Sequence, residues 1–195
     1  INFFSDLYEI KTSLNHNSII DVNSEGLIGF HFQNYDQGAL GQEESHLVHT
    51  RTSSFALFAL ESFNFDLFDL DVGGRLESVN LRNTSMEKGF FPGAFSSTIK
   101  REILTLNTAF AGFEFTERAP NAVELFANGP HHALEQFEVG DSNIGVETSY
   151  NFSLGYSYNN GLDSLKIETY YNYIEDFIAA DRDGTTTEVE GEDMN

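Results

Sequence analysis

The residues best able to do chemistry lie in two stretches rich in histidine and acid. One is GPHHALEQFEVGD, residues 129–141, which holds His131, His132, Glu135 and Glu138. The other is GQEESHLVHT, residues 41–50, with His46 and His49 behind Glu43 and Glu44. A neutral imidazole binds zinc, copper, nickel or iron, and carboxylates can complete the set. Adjacent histidines in a loop rarely turn toward one ion, so His131 with Glu135 and Glu138 is the preferred metal group. His132, His46 and His49 stand as further ligand-loop candidates. The plainer reading is a solvated polar loop, above all for His46 and His49, whose i, i+3 spacing shares a face on a helix but not on a strand. Metal needs the unprotonated ring, so capture should fade as pH falls below ~6.5, the ordinary histidine value.

Other chemistries lack their groups. No H-E-x-x-H run is present for a hydrolytic metal site, no G-x-S-x-G elbow for a serine nucleophile, and no glycine loop to cradle phosphate. The chain has no cysteine, which removes disulfides and thiolate sites. A net charge of −21 argues against nucleic acid as a partner and suits cations or basic partners. These absences point away from an enzyme.

The elements that must position the loops are strands. From Val146 to Tyr158 one face reads Val, Thr, Tyr, Phe, Leu, Tyr, Tyr and the other Glu, Ser, Asn, Ser, Gly, Ser. That is period-2 alternation over about the length a tilted strand needs to cross a bilayer. Asn159-Asn160-Gly161 then signals a turn, and Leu165 to Phe177 alternates again, which predicts a hairpin. Phe55–Phe65 and Phe68–Asn80 repeat the pattern around Asp66, with Leu70, Val72, Gly74 and Leu76 on one face and Asp69, Asp71, Arg75 and Glu77 on the other. Leu7–Leu14, Gly26–Tyr35, Phe95–Ile103 and Leu104–Thr116 complete a count of about eight strands. Arg75 with Glu77, and Lys166 with Glu168, read as charge pairs on a polar interior face. Short turns at 66 and 159–161 alternate with long connections at 36–50, 83–94 and 117–145, and aromatic residues gather at strand ends. Both are features of a transmembrane β-barrel. The longest purely apolar run, Phe55 to Leu60, is too short for a membrane helix. Within 117–145, Pro120 should end a strand, and Asn121 with Glu124 should cap a short helical turn over Ala122–Ala127, stopped by Asn128, Gly129 and Pro130.

The run ERAPNAVELFANGPHHALEQFEVGDSNIGVETSYNFSLGYSY, residues 117–158, resembles a segment of TonB-dependent outer-membrane receptors. The residues that carry the resemblance are Arg118-Ala119-Pro120, Glu124-Leu125-Phe126, Gly140-Asp141, Ile144, Glu147 and Ser149. Ala56 to Glu61 and Gly74-Arg75-Leu76-Glu77 resemble the adjoining barrel hairpin. The N-G-P-H and F-E-V-G-D forms are similar to the branch that takes up zinc. One departure is Val146, where the family usually has proline before the glutamate.

The resemblance implies an all-β fold: an antiparallel up-and-down meander forming about eight strands of a partial transmembrane β-barrel whose full form has ~22 strands around a plug. It implies a bacterial outer-membrane location, contact with lipid, and a TonB complex acting through the plug. The cargo would be a metal ion or metal chelate, zinc or iron being the candidates, and carried as cargo rather than held as a cofactor. A histidine of the 117–145 loop would contact metal, and His131 holds the N-G-x-H position. Residues 1–195 are accordingly expected to be one part of a barrel domain; the opening INFFSDLYEIKT, already strand-like, fits a start inside a longer protein. Two competing readings are a small eight-stranded outer-membrane barrel with a structural or adhesion role and a soluble β-sandwich that binds carbohydrate. A closed small barrel would pair its first strand with its last.

Overall fold

The computed structural model describes residues 2–17, 23–40, 46–131, 134–182, 184–189 and 192–194. Its elements in chain order are β1 (Asn2–Asn17), β2 (Ser24–Leu40), β3 (Thr50–Asn64), β4 (Asp69–Arg82), β5 (Glu87–Phe90), β6 (Gly93–Leu104), β7 (Asn107–Arg118), α1 (Ala122–Phe126), β8 (Asn128–His131), β9 (Gln136–Val139), β10 (Glu147–Asn159), β11 (Ser164–Glu175), β12 (Thr187–Val189) and β13 (Glu192–Met194). Eight of these strands form one antiparallel wall in the order β1-β2-β3-β4-β6-β7-β10-β11, with β5 paired to β4 beside it. Strands β12 and β13 form a separate two-stranded ribbon, as do β8 and β9.

The predicted hairpin of β10 and β11 is present, with Tyr150 opposite Tyr173, Phe152 opposite Tyr171 and Leu154 opposite Thr169. Direct partners in an antiparallel pair share a face, so the apolar sets of all eight strands fall on one side. That side has no cover among the described residues. Phe152, Leu154, Ile167 and Tyr171 are 50, 61, 59 and 64 % exposed, values a soluble core would not tolerate. Tyr150 is half-buried, packed between Phe115 at 5.5 Å and Tyr173 at 6.3 Å. Phe95, Phe115, Tyr150 and Tyr173 are consecutive direct partners across β6, β7, β10 and β11. They form an aromatic row at the end of the apolar belt nearer the long connections, the place of an interfacial girdle.

The opposite face is polar and ion-paired. Glu9 Oε1 meets His31 Nε2 at 2.7 Å, Arg75 Nη2 reaches His31 Nδ1 at 3.4 Å, and Arg75 pairs with Glu77 at 2.9 Å, a chain that ties β1, β2 and β4. Lys166 pairs with Glu168 at 2.8 Å, as expected. Any larger residue at Gly155 on this face must displace the ring of its partner Phe110, which occupies the space a Cβ would need. Lys166 Nζ lies 5.3 Å from the centre of that ring.

Neither β1 nor β11 pairs with the other, so the wall is open, and no second large sheet packs on its apolar face among the described residues. The first observation disfavours the small closed barrel and the second the sandwich. The connections β3–β4, β6–β7 and β10–β11 are short and lie at one end. The connections β2–β3, β4–β6 and β7–β10 are long and lie at the other. Two of the long ones are more structured than the sequence suggests. Residues 83–94 contain β5, launched by Asn83, whose Oδ1 accepts from the Ser85 and Met86 amides. Residues 128–139, read as a stop signal and loop, form the β8–β9 hairpin, with Pro130 opposite Phe137. Proline is tolerated there because a two-stranded ribbon leaves each strand an outer edge with no ladder to feed.

Candidate metal centre

The long connections meet in a small packed cap. Helix α1 begins with the predicted capping box: Asn121 Oδ1 accepts from the Val123 and Glu124 amides at 2.9 and 3.0 Å, and Glu124 Oε2 accepts from the Asn121 amide at 2.7 Å. A five-residue helix cannot stand on propensity, so its apolar side must be buried. Ala122, Leu125 and Phe126 pack with Leu81 from β4, and Val48, Val79, Phe90 and Ile144 close around them. Thus residues from all three long connections share one core. Gly140 brings the chain back against the end of α1, its amide donating to Ala127 O at 2.8 Å; an added Cβ would fall 2.7 Å from the carbonyl carbon of Leu125.

Arg118 fastens this cap to the wall. Its guanidinium donates from Nη1 to both Glu124 oxygens at 3.1 and 2.9 Å, and from Nε and Nη2 to Glu147 at 3.3 and 3.2 Å. One planar fork therefore joins the end of β7, the helix and the start of β10. Glu147 also accepts from the Ile178 amide at 2.9 Å. Both residues lie past the Phe115–Tyr150 row that bounds the apolar belt. Hydrogen bonds from Arg118, then from the Ile178 amide, hold the Glu147 carboxyl below its ordinary value, and the two carboxylates push the Arg118 guanidinium further up.

The candidate metal residues are half-buried beside this cap. His131 ends β8 and Glu138 lies on β9, and His131 Nδ1 is 2.6 Å from Glu138 Oε1. His46, from the connection before β3, stacks on His131 with ring centres 4.2 Å apart and planes at 21°. Its amide donates to Pro130 O at 3.2 Å, and its Nδ1 is buried without a hydrogen-bond partner. One ligand atom each from His46, His131 and Glu138 lies within 4.8 Å of the others, a spacing from which small rotations converge on one ion.

Of the predicted set, His131 and Glu138 come together and Glu135 does not join them. Glu135 occupies the exposed turn between β8 and β9 at φ 52°, a backbone position set by the hairpin. His46, read from sequence as a loop candidate, supplies the third group. His49 turns elsewhere: its Nε2 is 2.6 Å from Asp36 Oδ1, Asp36 also binds Arg51, and Phe4 meets the ring edge-on at 5.3 Å. His132, Glu43 and Glu44 lie outside the described residues.

An open wall with one apolar and one polar face, short turns at one end and structured loops at the other, is a barrel segment that crosses a membrane by strands. A family model described as TonB dependent receptor-like, beta-barrel, matches residues 2–192. The chain therefore belongs to the TonB-dependent receptors, transporters of the bacterial outer membrane, and supplies part of the β-barrel that such receptors pass their ligands through.

Proposed function

We propose that this receptor takes up a divalent transition metal or a chelate of one, and that His46 and His131, with Glu138 beside them, form the group that meets it at the outer rim. The observation that carries this reading is the convergence of two imidazoles and a carboxylate from two separate long connections. Imidazole favours zinc, copper, nickel and iron over calcium or magnesium, which prefer oxygen. Zinc is the leading candidate, and an iron chelate the second. Residues 1–195 would then be one part of a longer wall closing around a plug, through which the TonB complex drives import.

The test is zinc titration calorimetry on the intact receptor in detergent, wild type against His131→Ala. The wild type should bind at about pH 7.5 and lose most of its affinity at about pH 5.5, where free imidazole is protonated. His131→Ala should weaken binding at the higher pH by at least ~10-fold, the usual scale for losing a group of a metal site. Unchanged affinity in the variant removes His131 from the site. An iron chelate that binds where zinc does not would move the cargo to the second candidate.

A further inference from the structure

We infer that Glu138 is a positioning residue for His131 and not a ligand, so that the protein offers the captured ion two nitrogens only. This rests on the capture reading above. The carboxylate Oε1 lies 2.6 Å from His131 Nδ1, and an ionised carboxylate can only accept. The proton of neutral His131 is therefore on Nδ1, which leaves the lone pair on Nε2, and Nε2 has no hydrogen-bond partner among the described residues. A carboxylate holding one ring nitrogen while the other faces a metal is the recurrent arrangement that fixes tautomer and ring orientation and raises ligand basicity. For Glu138 to bind the ion directly, it would have to abandon that short bond and release the ring it orients.

His46 supplies the second nitrogen. Its ring stacks on that of His131 with centres 4.2 Å apart, its Nδ1 is buried without a hydrogen-bond partner, and it offers a nitrogen within 4.8 Å of a ligand atom of His131. Two protein ligands leave two or more positions of a four- to six-coordinate ion to water or to a chelator that arrives with it. Such a site accepts an ion that is already partly complexed and lets it go again, which suits a first contact in transport.

The experiment uses the intact receptor in detergent with Glu138→Gln, Glu138→Ala, His131→Ala and His46→Ala, each first checked for heat-modifiable migration as a sign of a folded barrel. Zinc is titrated by calorimetry, and cobalt(II), as a zinc surrogate, is followed by its visible absorption. Glu138→Gln keeps an amide oxygen that accepts from Nδ1. It should stay within ~10-fold of wild type with an unchanged cobalt spectrum, while Glu138→Ala should fall by ~10–100-fold, the scale for losing an orienting partner. If Glu138→Gln binds as poorly as His131→Ala and its cobalt spectrum changes, Glu138 is a ligand and the inference is overturned, with metal capture intact. If His46→Ala and His131→Ala both bind like wild type, the capture reading itself fails.

Discussion

The wall and the cap are held together by opposite means. Each wall strand is secured by its ladder of direct partners, and its apolar face is left bare for lipid. In the cap the pairing is sparse, and order comes from a core of Leu81, Ala122, Leu125 and Phe126 closed by side chains of three connections. In the wall, lipid does the work that buried side chains do in the cap. The two regions should consequently fail under different substitutions: the wall to charge on its lipid face, the cap to loss of buried volume.

The largest effect should follow Leu154→Arg, at mid-strand on the lipid face. A cation near the bilayer midplane costs about 3 kcal/mol in a barrel, whereas Ser153→Arg, one residue along on the polar face, should cost under about 1 kcal/mol. Urea unfolding of the receptor refolded in lipid vesicles measures both, and equal costs would sink the assignment of faces. Leu125→Ala comes next. This side chain is fully buried, so its truncation should cost about 2.5 kcal/mol, near the low end for core leucines because the cap can relax. Hydrogen exchange should rise across α1 and β8–β9 while β10 and β11 stay protected; exchange rising evenly in both regions would mean that cap and wall are one unit. The smallest effect probes the joint. The Glu147 carboxyl is depressed, so its contribution is complete above its ordinary value of 4.5 and is lost as pH falls through the lower folded value. Glu147→Gln should loosen the cap by about 1 kcal/mol at neutral pH, a figure reduced for the half-open setting of Arg118, and should flatten the acid limb of its exchange rates. An acid limb as steep as that of wild type would assign the pH dependence to other carboxylates.

Much of the wall was legible because its information is local. Alternation fixes which side chains share a face, and the short turns fix strand succession, so β10 with β11 and the split of Leu70, Val72, Gly74 and Leu76 from Asp69, Asp71, Arg75 and Glu77 follow from spacing alone. The capping box at Asn121 and Glu124 is local too. The candidate metal group was half legible. His131 and Glu138 are distant enough in sequence to need a hairpin, and Pro130 hid β8 from a pattern reading. The signal was present in two four-residue runs, Asn128–His131 and Gln136–Val139, separated by four residues. His46 could not be matched to His131 from spacing, because their meeting depends on Val48 docking in the cap core. Glu135 stands in the turn at φ 52° and is not among the three groups that come within 4.8 Å of one another.

The β8–β9 hairpin leaves and rejoins the cap at one place, since Asn128 is directly opposite Val139 and the Gly140 amide bonds back to Ala127. None of its residues belongs to the core formed by Leu81, Ala122, Leu125 and Phe126. The hairpin is in effect a cassette, closed at its base and anchored at the buried Pro130, whose carbonyl accepts from the His46 amide, with its exposed positions open to change. Mutation can lengthen its turn or trade its exposed side chains without asking the barrel to refold. Related receptors can thus diverge in the surface shown to antibodies or phages, and on the capture proposal in cargo, by changes confined to a dozen or so positions.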